Sequence, residues 1–218
     1  MIPFSRMLEY GNVVNRDYIV DIDFSRQNVG DTFIHDSTGR IYNTLYGSGA
    51  QVINDSSMGN VMYFPGTNSF YTPINSTLEL NSIDFDLECV FKPLDARAYE
   101  VICETGNYSQ DGTIIPGFSL TLNQFPSQYI QTFMCDSVQD YSRVLLDGVY
   151  TSDWEFIKMS VRSNSITISN SRTNVSNSYP RFNFGNGTHF SVGGSYVTAA
   201  YPYYFYGYIK SLRITKIL

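Results

Sequence analysis

Residues 182–217 read FNFGNGTHFSVGGSYVTAAYPYYFYGYIKSLRITKI. A short apolar stretch, Phe190-Ser191-Val192, runs into Gly193-Gly194. An aromatic segment follows, Tyr201-Pro202-Tyr203-Tyr204-Phe205-Tyr206, and then Gly207-Tyr208-Ile209-Lys210-Ser211-Leu212-Arg213-Ile214. Strand, paired glycines, aromatic loop and long closing strand describe how a chain seals two layers of β-sheet. The order is a fold signature rather than a chemical motif, and it points to a protein that binds rather than catalyses.

The same grammar extends back through the chain. Ile83, Phe85, Leu87, Cys89 and Phe91 fall on one face of a strand at 83–91, while Asp84, Asp86 and Glu88 fall on the other. Such alternation puts one face in a core and the other in water. Tyr99–Glu104 alternates around Val101 and Cys103, and Phe118, Leu120 and Leu122 alternate with Ser119, Thr121 and Asn123. Tyr129–Met134 is expected to pair beside that strand. Across 154–161 the apolar phase switches between Phe156 and Ile157, which predicts a β-bulge. Ser163-Asn164 predicts a hairpin into Ser165–Ser169. Phe190–Gly193 and Tyr206–Ile214 complete the later strands, and 18–24, 41–46, 50–54, 61–64 and 69–72 form the earlier ones. No window of a dozen residues carries helical spacing, so the chain reads as all-β. Residues 1–17 differ from the rest and read as an N-terminal docking arm; 18–218 read as one domain.

Composition narrows the function. The 218 residues carry 43% apolar and 16% aromatic residues, with 18 Tyr, 15 Phe and a single Trp, enough for one sandwich with a real core. Only 16% are charged, so the polar surface is expected to come from Asn, Ser, Thr and Tyr, which suit sugars or protein neighbours. The net charge of −6 and the lack of any basic run argue against nucleic acid and anionic membranes. No run of 18 apolar residues suggests a membrane span. The N-terminal stretch lacks the features of a secretory signal, and the three widely spaced cysteines fit buried thiols, so synthesis in a reducing cytoplasm is expected. Sequons at Asn54, Asn75, Asn107, Asn174 and Asn186 are then incidental.

These residues resemble the concanavalin A-like lectin/glucanase superfamily in its laminin G-like jelly-roll branch, from about residue 21 to the end. Asp36-Ser37-Thr38-Gly39 is similar to the family's early turn, and Val61–Tyr71 to its following strand pair. Asp84–Pro93 resembles its D-F-x-x-E strand, Gly117–Leu120 its next core strand, and Trp154 stands at its usual tryptophan strand. Phe190–Gly194 and Tyr206–Ile214 resemble its closing strands. Lys210 and Ser211 depart from the acidic pair often found before the Leu-Arg, so contacts made by those acids elsewhere are not expected here. The resemblance implies an all-β, two-sheet antiparallel jelly-roll sandwich with about six or seven strands per sheet. It leaves function open, because the fold hosts lectins, enzymes and structural modules.

The remaining candidates are weighed on chemistry. Glycoside hydrolysis needs two carboxyls about 5–10 Å apart, and Asp84, Asp86 and Glu88 lie on one strand face. Glucanases of this fold use glutamate where Asp84 stands, and noncatalytic jelly rolls carry the same run, so no catalytic residue is assigned. His35 and His189 sit in no triad context. No cofactor is expected; calcium is a secondary possibility, with oxygen donors at Asp21, Asp23, Asp36 and Asp111. Sugar or partner contact is assigned to Asn107 and Tyr108 in one loop and to Tyr201, Tyr203, Tyr204 and Tyr206 in the other, since tyrosine offers a flat ring with a polar tip. The expected role is a noncatalytic binding or structural module of a bacteriophage virion, on tail or capsid surface. It would engage a neighbouring virion protein or a host surface glycan, in an oligomer or larger assembly. The alternative is a carbohydrate-binding lectin, with a glycoside hydrolase behind it.

Overall fold

The computed structural model describes residues 17–40, 44–67, 69–73, 80–81, 83–94, 99–106, 116–123, 129–135, 141–147, 153–178, 189–195 and 203–218. Its strands are β1 (Tyr18–Asp23), β2 (Thr44–Tyr46), β3 (Gln51–Asp55), β4 (Gly59–Pro65), β5 (Ser69–Pro73), β6 (Asp84–Pro93), β7 (Glu100–Glu104) and β8 (Gly117–Asn123). They continue with β9 (Tyr129–Cys135), β10 (Tyr141–Asp147), β11 (Glu155–Arg162), β12 (Ser165–Ser169), β13 (Asn174–Ser178), β14 (His189–Val192) and β15 (Tyr206–Ile217). A single 3-10 turn among the described residues, Phe24–Arg26, follows β1, with the Asp23 carboxylate accepting from the Ser25 N–H.

Two antiparallel sheets result, the sandwich that the alternation implied. One has eight strands in the order β13-β12-β11-β6-β15-β4-β3, with β1 also on β15; the other has seven, β10-β9-β8-β7-β14-β5-β2. Strand β15 is the spine of the larger sheet. Strand β6 runs along one of its edges from Gly207 to Ile217, while β4 and β1 divide the other. Alternate residues of both sheets meet in one core. Phe24, Phe64, Phe85, Phe91, Phe118, Phe190 and Phe205 are its largest fully buried side chains, each worth about 1.5–3 kcal/mol of burial. Cys89 and Cys103 are free and buried in that core, and burial pushes both thiols up, which makes them inert.

The crossing between sheets explains the opening stretch. The Gly193 N–H donates to the Ile102 carbonyl and the Phe205 N–H donates to the Gly193 carbonyl. Gly193 has φ +82°, and a Cβ there would lie 2.1 Å from Phe64 Cε1. At Gly207 a Cβ would lie 2.3 Å from the Lys92 carbonyl oxygen. Both glycines are thus demanded by close approach, and between them the chain leaves the seven-stranded sheet and enters β15.

Some expectations need correction. No bulge interrupts β11: its register with β6 is continuous from Glu155↔Phe91 to Val161↔Phe85. Phe156 faces outward, opposite Val90, so an outward aromatic imitates a change of phase. The register shifts lie instead around Ile19, Ile102 and Lys210. Strands β10 and β13 go beyond what the sequence pattern signals; β13 reads Asn-Val-Ser-Asn-Ser, a solvent-exposed edge strand with too little apolar content to register. The arm expected at 1–17 lies outside the described residues apart from Asp17, whose carbonyl accepts from the Lys216 N–H.

Candidate functional site

The outer face of the eight-stranded sheet holds the carboxylates that a glycosidase reading would need. Register places Lys158, Glu88, Arg213 and Asp21 in one row across four strands, alternating in sign. Lys158 Nζ lies 2.6 Å from Asp86 Oδ2 and 3.7 Å from Glu88 Oε1, and Arg162 Nη2 lies 2.7 Å from Asp86 Oδ1. Burial raises the pKa of the Asp86 carboxyl, but hydrogen bonds from Lys158, Ser160 and Arg162 outweigh it and hold the group below the usual range. A general acid needs the opposite shift. The pairing makes Asp86 a structural anion.

The candidate calcium donors meet the same fate. Asp21 accepts from Arg213 Nε at 2.8 Å, Arg26 Nη1 at 3.0 Å and Ser37 Oγ at 2.6 Å; Asp23 accepts from Arg213 Nη2 at 3.0 Å. Asp36 accepts from the N–H groups of Asp21, Thr38 and Arg40 and from the Thr38 hydroxyl, which builds the Asp36–Gly39 turn. Their oxygens are spent on protein donors, and among the described residues no group of three metal-ligating side chains gathers. Asp111 lies outside the described residues. At the departure noted from the family pattern, Lys210 is the bulged residue of β15, and its Nζ donates to the Met58 and Asn60 carbonyls at 2.7 and 3.1 Å. A protein cation fills that corner.

The seven-stranded sheet differs. Strands β8 and β9 carry no charged residue. Phe118, Leu120, Leu122, Ile130 and Met134 belong to the core, and the alternate residues Ser119, Thr121, Asn123, Tyr129, Gln131 and Phe133 face away from it. Those outward residues are also buried. One row runs Ser191–Glu104–Ser119–Phe133 and a second runs Tyr204–Val101–Thr121–Gln131. In the first row Ser195 Oγ donates to Glu104 Oε1 at 2.8 Å and Ser191 Oγ donates to the Gly194 carbonyl at 2.6 Å, and in a third row Asn123 Nδ2 donates to the Tyr129 hydroxyl. Ser119, at 0% exposure, and Gln131, at 4%, each keep a shielded oxygen (Oγ and Oε1) without a hydrogen-bond partner. Leaving such an atom unpaired costs about 1–3 kcal/mol.

Aromatic rings rim this face where β7 begins. The Val101 N–H donates to the Tyr203 carbonyl at 3.2 Å, and Val101 bridges Tyr204, so 203–205 continues the sheet beside β7. Tyr204 thereby joins the Thr121–Gln131 row. The Tyr203 ring lies 5.4 Å from that of Tyr99, which is 39% exposed. Tyr99 has φ +150°, a conformation that side chains rarely adopt and one that concentrates at functional positions. Of the six residues assigned from sequence, Tyr203 and Tyr204 stand at this rim. Tyr206 turns to the other sheet, beside Tyr63. Asn107, Tyr108 and Tyr201 lie outside the described residues. Sequence reasoning missed Ser119, Thr121 and Gln131, although an outward row of uncharged amides and hydroxyls was the available signal.

No family model matches the sequence, and no curated protein matches it. Solved structures match it by fold. Domain 4 of AbnA, a GH43 extracellular arabinanase from Geobacillus stearothermophilus, in complex with arabinotriose, gives a TM-score of 0.64 at 16% identity, over 92% of this chain and 93% of that one. The binding domain of botulinum neurotoxin DC in complex with SialylT gives 0.60 at 8% identity over 91% of this chain, which spans only 48% of that structure. The CBM40 of Ruminococcus gnavus IT-sialidase bound to alpha2,3 sialyllactose gives 0.54 at 11% identity, over 81% of this chain and 91% of that one. At these identities the likeness is one of fold, a concanavalin A-like, jelly-roll β-sandwich.

Proposed function

We propose that this chain is a noncatalytic carbohydrate-binding module that holds a glycan on the outward face of the seven-stranded sheet. The observation that carries the reading is the buried polar patch on the uncharged strands β8 and β9, with unpartnered oxygens on Ser119 and Gln131, Glu104 beside Ser119, and Tyr204 and the Tyr99–Tyr203 pair at its border. Sugar hydroxyls supply donors to such oxygens, and tyrosine rings take the C–H face of the sugar. The sugar-bound state of matching sandwiches in complex with arabinotriose and sialyllactose supports the reading by analogy of fold. The ion-paired Asp86 and Glu88 support a noncatalytic role.

The face is shielded from solvent, so a ligand reaches it only by displacing what covers it. Association is then expected to fall below the ~10⁵ M⁻¹s⁻¹ of unhindered docking. A glycan array with the intact chain, followed by surface plasmon resonance, tests both points. Binding to at least one glycan class, lost in Gln131→Leu and weakened in Tyr204→Ala, is the expected result. An array without hits, or equal binding by both variants, refutes the reading. In its finer form the proposal places the module on a bacteriophage particle. The support is the composition rich in Asn, Ser and Tyr and poor in charge, which resembles that of phage tail and capsid-surface proteins. Mass spectrometry of purified particles checks it, and absence of the chain from them refutes the placement.

A further inference from the structure

The opposite side of the sandwich carries an aromatic surface that the polar face does not use. Across the outer face of the eight-stranded sheet, Gln51, Tyr63, Tyr208 and Lys92 pair in sequence from β3 to β6. Trp154 stands one residue before β11, next to Glu155, which pairs with Phe91. The ring centroids of Trp154 and Tyr208 are 6.3 Å apart, those of Tyr208 and Tyr63 5.5 Å, and those of Tyr63 and Tyr206 6.5 Å. Four rings thus form a continuous strip over strands β4 and β15 and the start of β11.

Part of this strip is structural. Val61 and Val90 are buried, yet they lie on the outer face and outside the main core cluster, so side chains on that face must cover them. Covering uses one side of a ring. All four residues remain partly exposed. The indole Nε1 of Trp154 is shielded and has no hydrogen-bond partner, so packing alone sets that ring. The support is a hydrogen-bonded sheet rather than a loop, which fixes the spacing of the rings.

The size and charge of the strip select its occupant. Four partly exposed rings offer on the order of 250 Å². A stable protein interface needs about 800 Å² from each partner, so a protein or a second copy is poorly matched. One or two sugar rings fit. The row itself holds no carboxylate; Asp55 at the end of β3 acts on Lys92, and Glu88 opens the charge ladder on the other side. Gln51 and Lys92 flank the rings with hydrogen-bond donors. We propose that Trp154, Tyr208, Tyr63 and Tyr206 form a second carbohydrate site, on which uncharged pyranose rings stack by their C–H faces. The site is independent of the polar face, and two sites on opposite sides would let one module hold two glycan segments, gaining avidity without new contacts.

Trp154 is the only tryptophan in the chain, so its fluorescence reports this strip alone. The intact protein is titrated with cellohexaose, xylohexaose, mannohexaose and chitohexaose. At least one is expected to give a saturable shift or quenching of emission. Tyr208→Ala should abolish that response, Tyr206→Ala should weaken it about three- to ten-fold, and Gln131→Leu should leave it unchanged. Tyr206→Ala, at the end of the strip, keeps the test valid if Tyr208→Ala does not fold. Flat emission with all four sugars overturns the site. A response that survives both tyrosine variants overturns it too. A response abolished by Gln131→Leu overturns it while leaving the polar-face reading intact.

Discussion

Gly193→Ala tests the seal between the sheets most directly. The substitution meets two penalties that can be separated. At φ +82° an alanine pays about 1–2 kcal/mol for its left-handed backbone. Its Cβ would also lie 2.1 Å from Cε1 and 2.3 Å from Cδ1 of Phe64, a ring at 0% exposure with no room to retreat. Overpacking of this kind costs about 1–3 kcal/mol. The total, about 2–5 kcal/mol, is a large part of the ~5–15 kcal/mol that stabilises a domain. Gly39 supplies the control: it has φ +68°, and a Cβ added there would meet nothing within 4 Å, so Gly39→Ala should pay only the backbone penalty. Urea unfolding by circular dichroism compares the two. With a slope of about 2 kcal/mol/M, Gly193→Ala should lower the midpoint by roughly 1–2.5 M and Gly39→Ala by roughly 0.5–1 M. Phe64→Leu in the Gly193→Ala background removes the ring carbons nearest the clash and should recover part of the difference. If Gly193→Ala costs no more than Gly39→Ala, the close approach of Gly193 to Phe64 is not what holds the sheets together.

The other expectations concern charge and the polar face. The folded pKa values of Asp21 and Asp86 are depressed, so the stability they contribute is present above the unfolded value of about 3.9 and is lost as pH falls through the folded values. Thermal melts between pH 6 and pH 2 should show a steep acid loss that Asp21→Asn with Asp86→Asn flattens; an unchanged slope would contradict the pairing. Ser119→Ala removes a buried unpaired hydroxyl and should leave stability unchanged or raise it by about 1 kcal/mol, while glycan binding weakens at least tenfold. A clear loss of stability would mean that the hydroxyl has a structural partner. Asp86→Asn with Glu88→Gln should release the same background of reducing sugar as the parent chain; activity lost in the variant would make these residues catalytic.

The sequence was most legible where one chemical contrast set one structural fact. Asp84, Asp86 and Glu88 against Phe85, Leu87 and Cys89 gave the orientation of β6 correctly, because a charge and a large apolar group cannot exchange faces. Gly193 and Gly207 stood out because only glycine fits where backbones and rings close in. Phe156 misled because an aromatic residue normally signals core, whereas here it lies on an outer face that has its own small apolar layer. The shifts at Ile102 and Lys210 were hidden because a bulge belongs to a pair of strands, and neither residue type announces it. The tyrosines of 203–206 were legible as a group but not in their placement: Tyr204 and Tyr206 end on different sheets because the chain crosses between them at Phe205.

The polar face was the hardest feature to read, and the reason is physical. Ser119, Thr121, Asn123 and Gln131 alternate with core residues as any solvent-facing row would, so the period of two is silent about what lies above them. The difference is in kind. The wetted face of the eight-stranded sheet is built from Asp, Glu, Lys and Arg in an alternating ladder, which keeps a flat surface soluble and guards it against wrong pairing. Strands β8 and β9 have no charge at all. A charge under cover needs a partner, as Glu104 has in Ser195, whereas amides and hydroxyls can be satisfied one by one. Part of the low charged fraction of 16% lies here, on two strands that are polar without being wet, and the oxygens of Ser119 and Gln131 mark where they still lack donors. A sandwich needing only stability would place apolar residues there; the neutral hydrogen-bonding groups of β8 and β9 are what the proposed glycan site requires.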